Sequence, residues 1–183
     1  MLGKEDTAVK GNFLSALAMF IAVSVTIINV VNPLIVLIGI LIGASIGSLI
    51  ALRVKMTSIP EMVALFNGFG GLATFFIAWS EFNATPDNIF QYVVIMLTTY
   101  IGGVTFSGSI IAYGKLSEKL KIEKNSIITK LFTTLFYLSI LFLIYSIGFT
   151  QLIVLPTDFF TILLILTLLG GIGFVLPIGG GDM

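Results

Sequence analysis

Residues 12–53, NFLSALAMFIAVSVTIINVVNPLIVLIGILIGASIGSLIALR, contain no charged side chain before the last one, Arg53. A helix needs roughly 20 mostly apolar residues to cross the hydrocarbon core of a bilayer. This stretch holds two such lengths, one on either side of Asn32-Pro33. Asparagine followed by proline is a turn signal, and proline at the first position of a helix sacrifices no hydrogen bond, because the N–H it lacks has no partner there in any case. The stretch therefore reads as two spans, 12–31 and 33–53. In lipid every backbone polar group must be satisfied within its own segment, so helix is the form these runs take.

Reading outward, the same pattern recurs at 60–80, 89–113, 126–149 and 158–178. The breaks carry helix-start signals: Ser58-Ile59-Pro60-Glu61 and Pro156-Thr157-Asp158 each place proline and an acid near a first turn. The fifth span, dominated by Leu, Ile and Phe, reads as a lipid-facing outer helix. The predicted fold is an all-α integral membrane protein, a bundle of about six transmembrane helices. Composition agrees: of 183 residues 57% are hydrophobic and 10% charged, against roughly 25% charged in a soluble domain. Residues 1–11 read as a short polar loop. The apolar run after them has the length of a full span, not the roughly 7–15 residues of a signal-peptide core.

Charge sets the expected orientation. With a cytoplasmic N-terminus, all nine basic residues (Lys4, Lys10, Arg53, Lys55, Lys115, Lys119, Lys121, Lys124 and Lys130) fall on or within a turn of the inner side. The opposite side carries only Glu81, Asp87 and Asp158, as the positive-inside rule requires. Trp79 and Tyr92 then fall near the outer boundary and Tyr113 near the inner one.

Composition also excludes functions. Nine acidic residues balance the nine basic ones, so no basic face exists to neutralise a nucleic-acid backbone, and nucleic acid is not an expected partner. Cysteine and histidine are absent, which removes disulfides, thiolate and imidazole metal sites and every Ser-His-Asp triad. No metal site is expected. The acids Glu61, Glu81, Asp87, Asp158 and Asp182 sit at span ends or in loops rather than as catalytic pairs. The clusters Asn67-Gly68-Phe69-Gly70-Gly71 and Gly170-Gly171-Ile172-Gly173 do not fit G-x-G-x-x-G, follow no strand and lie inside apolar spans, so no bound cofactor is expected.

Small residues mark helix faces. Gly39, Gly43 and Gly47 recur every fourth position of the second span, and Gly71 and Gly102 lie in the third and fourth, so close helix packing is expected at all five. The third span carries a stripe of Ala64, Asn67, Gly71, Thr74 and Ala78, and the fourth one of Thr98, Gly102, Thr105 and Ser109. Two readings stay open: these faces enclose a narrow hydrated path, or they only pack and hydrogen-bond to one another. No charged side chain lies at the centre of any span, so a complete proton carrier is not expected from these residues alone.

Three segments carry a resemblance. MTSIPEMVALFNGFGGLA (56–73), IGGVTFSGSIIAYGKL (101–116) and IGGGDM (178–183) resemble, in order and approximate spacing, the membrane domain of the beta subunit of proton-translocating NAD(P) transhydrogenase. The opening LGKEDTAVKGN is similar to the loop after that subunit's first helix, so the resemblance covers essentially the whole chain. It implies a partial proton-channel domain spanning 1–183, with a first helix, later helices and an NADP-binding domain expected outside these residues. It implies an oxidoreductase and translocase that couples inward proton movement to hydride transfer from NADH to NADP+ in soluble domains. The chain by itself would then be non-catalytic and bind no cofactor, while the complete enzyme would use NADP(H) and NAD(H). Implied partners are membrane lipid, the alpha subunit, the remainder of the beta subunit and a second copy in a dimer of the complete enzyme. The implied location is the bacterial inner membrane, in preference to the mitochondrial one. Residue by residue, Ser109 matches a channel serine, Asp182 an acid at the cytoplasmic face and Glu61 the acid of the Pro-Glu pair. Asn67 stands where some members have a channel histidine, and with Thr105 and Ser109 it forms the expected proton path, Glu61 and Asp182 being the expected coupling residues. The alternative is a stand-alone small transporter, channel or scaffold subunit.

Overall fold

The computed structural model describes residues 5–28, 32–84, 86, 88–120, 126–150 and 157–179. Its helices are α1 (Glu5–Ile28), α2 (Pro33–Arg53), α3 (Ile59–Asn83), α4 (Ile89–Leu116), α5 (Ile127–Thr150) and α6 (Thr157–Val175), with a single 3₁₀ turn at Met56–Ser58 before α3. No strand occurs among the described residues. All six helices are long and apolar enough to cross a membrane, and the chain is a multi-pass membrane protein.

Of the boundaries that differ from the sequence expectation, two have a local cause. Helix α1 begins at Glu5, so much of the expected N-terminal loop is helical; Ala8 and Lys10 are good helix formers and no proline interrupts the run. Helix α6 ends at Val175, short of Ile178. Pro177 explains this, because it offers no N–H and disfavours helical geometry in the residue before it. The chain instead closes a turn in which Ile178 N donates to Val175 O at 3.1 Å.

The chain forms two compact units, 1–54 and 55–183. The first holds α1 and α2. Helix α2 is apolar on all sides and has no residue buried within this unit. Within this unit a Cβ placed on Gly39, Gly43 or Gly47 meets nothing within 4 Å, so the expected packing at these three glycines does not involve α1.

In the second unit α4 and α6 run parallel at the centre, α3 packs against α4, and α5 packs against α6. Glycine permits each contact. A Cβ at Gly71 would lie 2.7 Å from Phe106 N, and one at Gly102 would lie 2.6 Å from Phe75 N, so backbone rests on backbone between α3 and α4. Between α4 and α6 the close approach falls at Gly171 against Val104, and between α5 and α6 at Gly173 against Phe132. Buried hydroxyls on these faces bond back to their own helices: Thr99 donates to Ile95 O (2.8 Å), Ser107 to Gly103 O (3.0 Å) and Ser146 to Phe142 O (2.7 Å). They need no partner across the interface.

Helix α5 lies on the outside of this unit, with one face exposed and the other against α6 and α4. Leu131, Leu138, Leu141 and Ile144 are exposed, but Thr129, Ser139, Leu143 and Ser146 are buried. Tyr100 of α4 and Ser139 of α5 share a hydrogen bond at 3.2 Å. At the end of the unit where α3 finishes, Phe82 stacks on Phe160 with ring centroids 3.8 Å apart, and Tyr92 meets Phe82 edge-on. Asn88 caps α4 there by accepting from Gln91 N at 2.9 Å.

Candidate functional site at the α3–α4 seam

The stripes of α3 and α4 face each other. Gly68 lacks a side chain where α4 presents Ser109, and a Cβ there would come within 3.1 Å of Ser109 Cβ. This close approach brings Asn67 into reach, and Asn67 Nδ2 donates to Ser109 Oγ at 2.9 Å. Ser109 is buried, whereas Asn67 sits at the exposed edge of the seam. An amide has two N–H donors and a carbonyl acceptor, so one bond to Ser109 leaves capacity for water.

Two surface grooves meet at Asn67. One, of about 450 Å³, runs toward the middle of the helices past Gly70, Thr74, Ile101 and Thr105. The other, of about 300 Å³, runs toward the start of α3 between Pro60, Ala64, Ser109, Ala112 and Ile178. Asn67 lines both. Between the helices themselves, the Gly71 and Gly102 contacts close off any water-sized gap at their level. The open space lies along the edge of the stripes.

Of the residues singled out in the sequence, Asn67 and Ser109 are bonded. Thr105 sits one turn from Ser109 on α4 and covers Gly71, where its Cβ would be 2.9 Å from an added Cβ. Thr74 and Thr98 donate to Gly70 O (3.0 Å) and Val94 O (2.7 Å) of their own helices. Glu61 lies half-buried in the first turn of α3, apart from the Asn67 bond. Asp182 lies outside the described residues. Lys115, in the sequence only one of the nine charges that set the orientation, reaches from the last turn of α4 to the carbonyls of Val175, Leu176 and Ile178. Its sequence signal was a cation at a span end, close to where helix C-termini gather.

The family model described as NAD(P) transhydrogenase beta subunit matches residues 1–183. The chain belongs to this family. Two sequences named NAD(P) transhydrogenase subunit beta, both from Rhodospirillum rubrum, are each 32% identical to it over 126 residues, which is 63% of this chain. The match spans 27% of the length of each relative. Membership in the transhydrogenase beta family does not favour a stand-alone transporter or scaffold.

The two glycine clusters do not form a phosphate-binding loop. Gly68, Gly70 and Gly71 are interior to α3, and Gly170, Gly171 and Gly173 are interior to α6. Their backbone N–H groups belong to helical ladders inside apolar spans, not to a loop that cradles a pyrophosphate.

Proposed function

We propose that this chain is part of the membrane proton path of a transhydrogenase, coupling inward proton movement to hydride transfer from NADH to NADP+. Hydride transfer belongs to nucleotide-binding domains outside the 183 residues, which contribute no nucleotide site of their own. The partners in this reading are membrane lipid, the alpha subunit and the rest of the beta subunit, assembled as a dimer in a bacterial inner membrane with the first residues cytoplasmic. Glu61 and Asp182 lie on the cytoplasmic side as coupling groups.

The observation that supports the path is the Asn67 Nδ2 to Ser109 Oγ bond at the point where two grooves meet. An amide and a hydroxyl order water by donating and accepting hydrogen bonds, and neither takes up a proton near neutral pH. Asn67, Ser109 and Thr105 therefore position water, and the titrating group comes from a helix outside these residues, a histidine of the alpha subunit or of a later beta helix. The test uses the complete enzyme reconstituted in vesicles. Asn67→Leu should lower coupled proton pumping by about tenfold or more, with assembly and nucleotide binding intact. Asn67→His should retain pumping and alter its pH dependence. Normal pumping by Asn67→Leu at full stability refutes the role.

A further inference from the structure

Helix α6 ends by force at Pro177, and a helix end leaves carbonyls without intrahelical partners at the negative pole of the dipole. Here those carbonyls turn toward one cation. Lys115 Nζ donates to Val175 O at 3.0 Å, to Leu176 O at 2.5 Å and to Ile178 O at 2.5 Å. The residues so held are not remote from the seam. Val175 and Ile178 line the same groove as Asn67, Ser109 and Ala112. Two turns before Lys115, Gly108 lets α4 touch α6: a Cβ there would meet Val175 Cγ2 at 3.0 Å and Gly171 O at 3.2 Å. The chain leaving α6 is thus fixed to α4 twice, first by packing at Gly108 and then by charge-assisted bonds at Lys115.

We propose that Lys115 is a positioning residue that holds the Val175–Ile178 turn as one wall of the groove leading to Asn67 and Ser109. Two properties suit lysine to the task. Its ammonium carries three N–H donors on a flexible stem, able to serve carbonyls that point in different directions. Its positive charge also strengthens each bond to a carbonyl at the helix end. Loss of these donors frees the turn, and with it the apolar side chains of Val175 and Ile178 that narrow the groove. The purpose of this device rests on the proton-path reading, but its geometry does not.

The test measures access to the groove in the full-length subunit assembled with its partner in native membranes. Ala112→Cys places a thiol in the groove and Gln91→Cys places a control thiol at the far end of α4. These 183 residues contain no cysteine of their own. The rate of modification by a small charged methanethiosulfonate is read at each introduced position by peptide mass spectrometry. Lys115→Met should change the rate at Ala112→Cys by about threefold or more and leave that at Gln91→Cys unchanged. Lys115→Arg, which keeps charge and donors, should restore the parent rate. If Lys115→Met does not assemble, Lys115→Gln, which retains one amide donor group, is scored in the same way. An unchanged rate at Ala112→Cys, an equal change at both positions, or no rescue by arginine overturns the proposal. Normal pumping by Asn67→Leu removes the proton-path reading and leaves these rates as they are, so the two failures are distinguishable.

Discussion

Glu118 adopts a left-handed backbone, φ 56°, just past the end of α4, where Leu120 N donates back to Gly114 O at 2.8 Å. An L-residue there carries a steric cost that glycine avoids. Glu118→Gly is expected to stabilise the subunit by up to about 1 kcal/mol, offset in part by the greater freedom of glycine in the unfolded chain. A rise in the midpoint of thermal unfolding in detergent checks this, and a fall means that the glutamate side chain contributes more than the backbone loses. At the same scale, Asn67 and Ser109 were legible in advance because each lies on a stripe of small residues, and stripes meet. Lys115 was not legible, because its partners are carbonyls, which no side-chain pattern reveals. They come within reach only because Pro177 ends α6 where α4 also ends.

Apolar length located all six helices, since the hydrocarbon core imposes it whatever the partners are. Which helix packs on which was not readable. Glycine spacing says that a backbone can be approached, not what approaches it. Thus Gly39, Gly43 and Gly47 meet nothing within their own unit, while Gly71, Gly102 and Gly171 are pressed against a neighbour in theirs. Which face of the outer helix α5 is covered was hidden for a related reason: a serine or threonine that bonds its own helix is compatible with lipid and with a buried seam alike, so Thr129, Ser139 and Ser146 gave no sign of their burial. The glycine environments predict opposite outcomes for one substitution. Gly171→Ala drives a methyl into Val104 of α4 and should cost about 1–3 kcal/mol. Gly148→Ala in α5 meets open space and should be neutral or stabilising by about 0.5–1 kcal/mol. Unfolding by titration with a denaturing detergent measures both. Equal effects would mean that α4 and α6 are not in contact as described.

For the molecule as a whole, the grooves and aromatic contacts define two ends of the second unit: the start of α3 with the finish of α4 and α6, and the finish of α3 with the start of α4 and α6. Basic residues Lys115, Lys119 and Lys130 all belong to the first end. This arrangement predicts that a membrane-impermeant thiol reagent labels Asn83→Cys in intact cells and spares Lys119→Cys. The reverse pattern would invert the topology and with it the direction of the proposed path. The parallel pairing of α4 with α6 also orders biosynthesis. Helices α3 and α4 are neighbours in sequence and in space, and so are α5 and α6, so each pair can enter the bilayer as a hairpin as it leaves the ribosome. The glycine face of α4, however, waits through the synthesis of an entire intervening helix before α6 exists to cover it. Until then Gly103 and Gly108 lie against lipid chains or the insertion machinery, and the last step of building this unit is the exchange of those transient neighbours for α6.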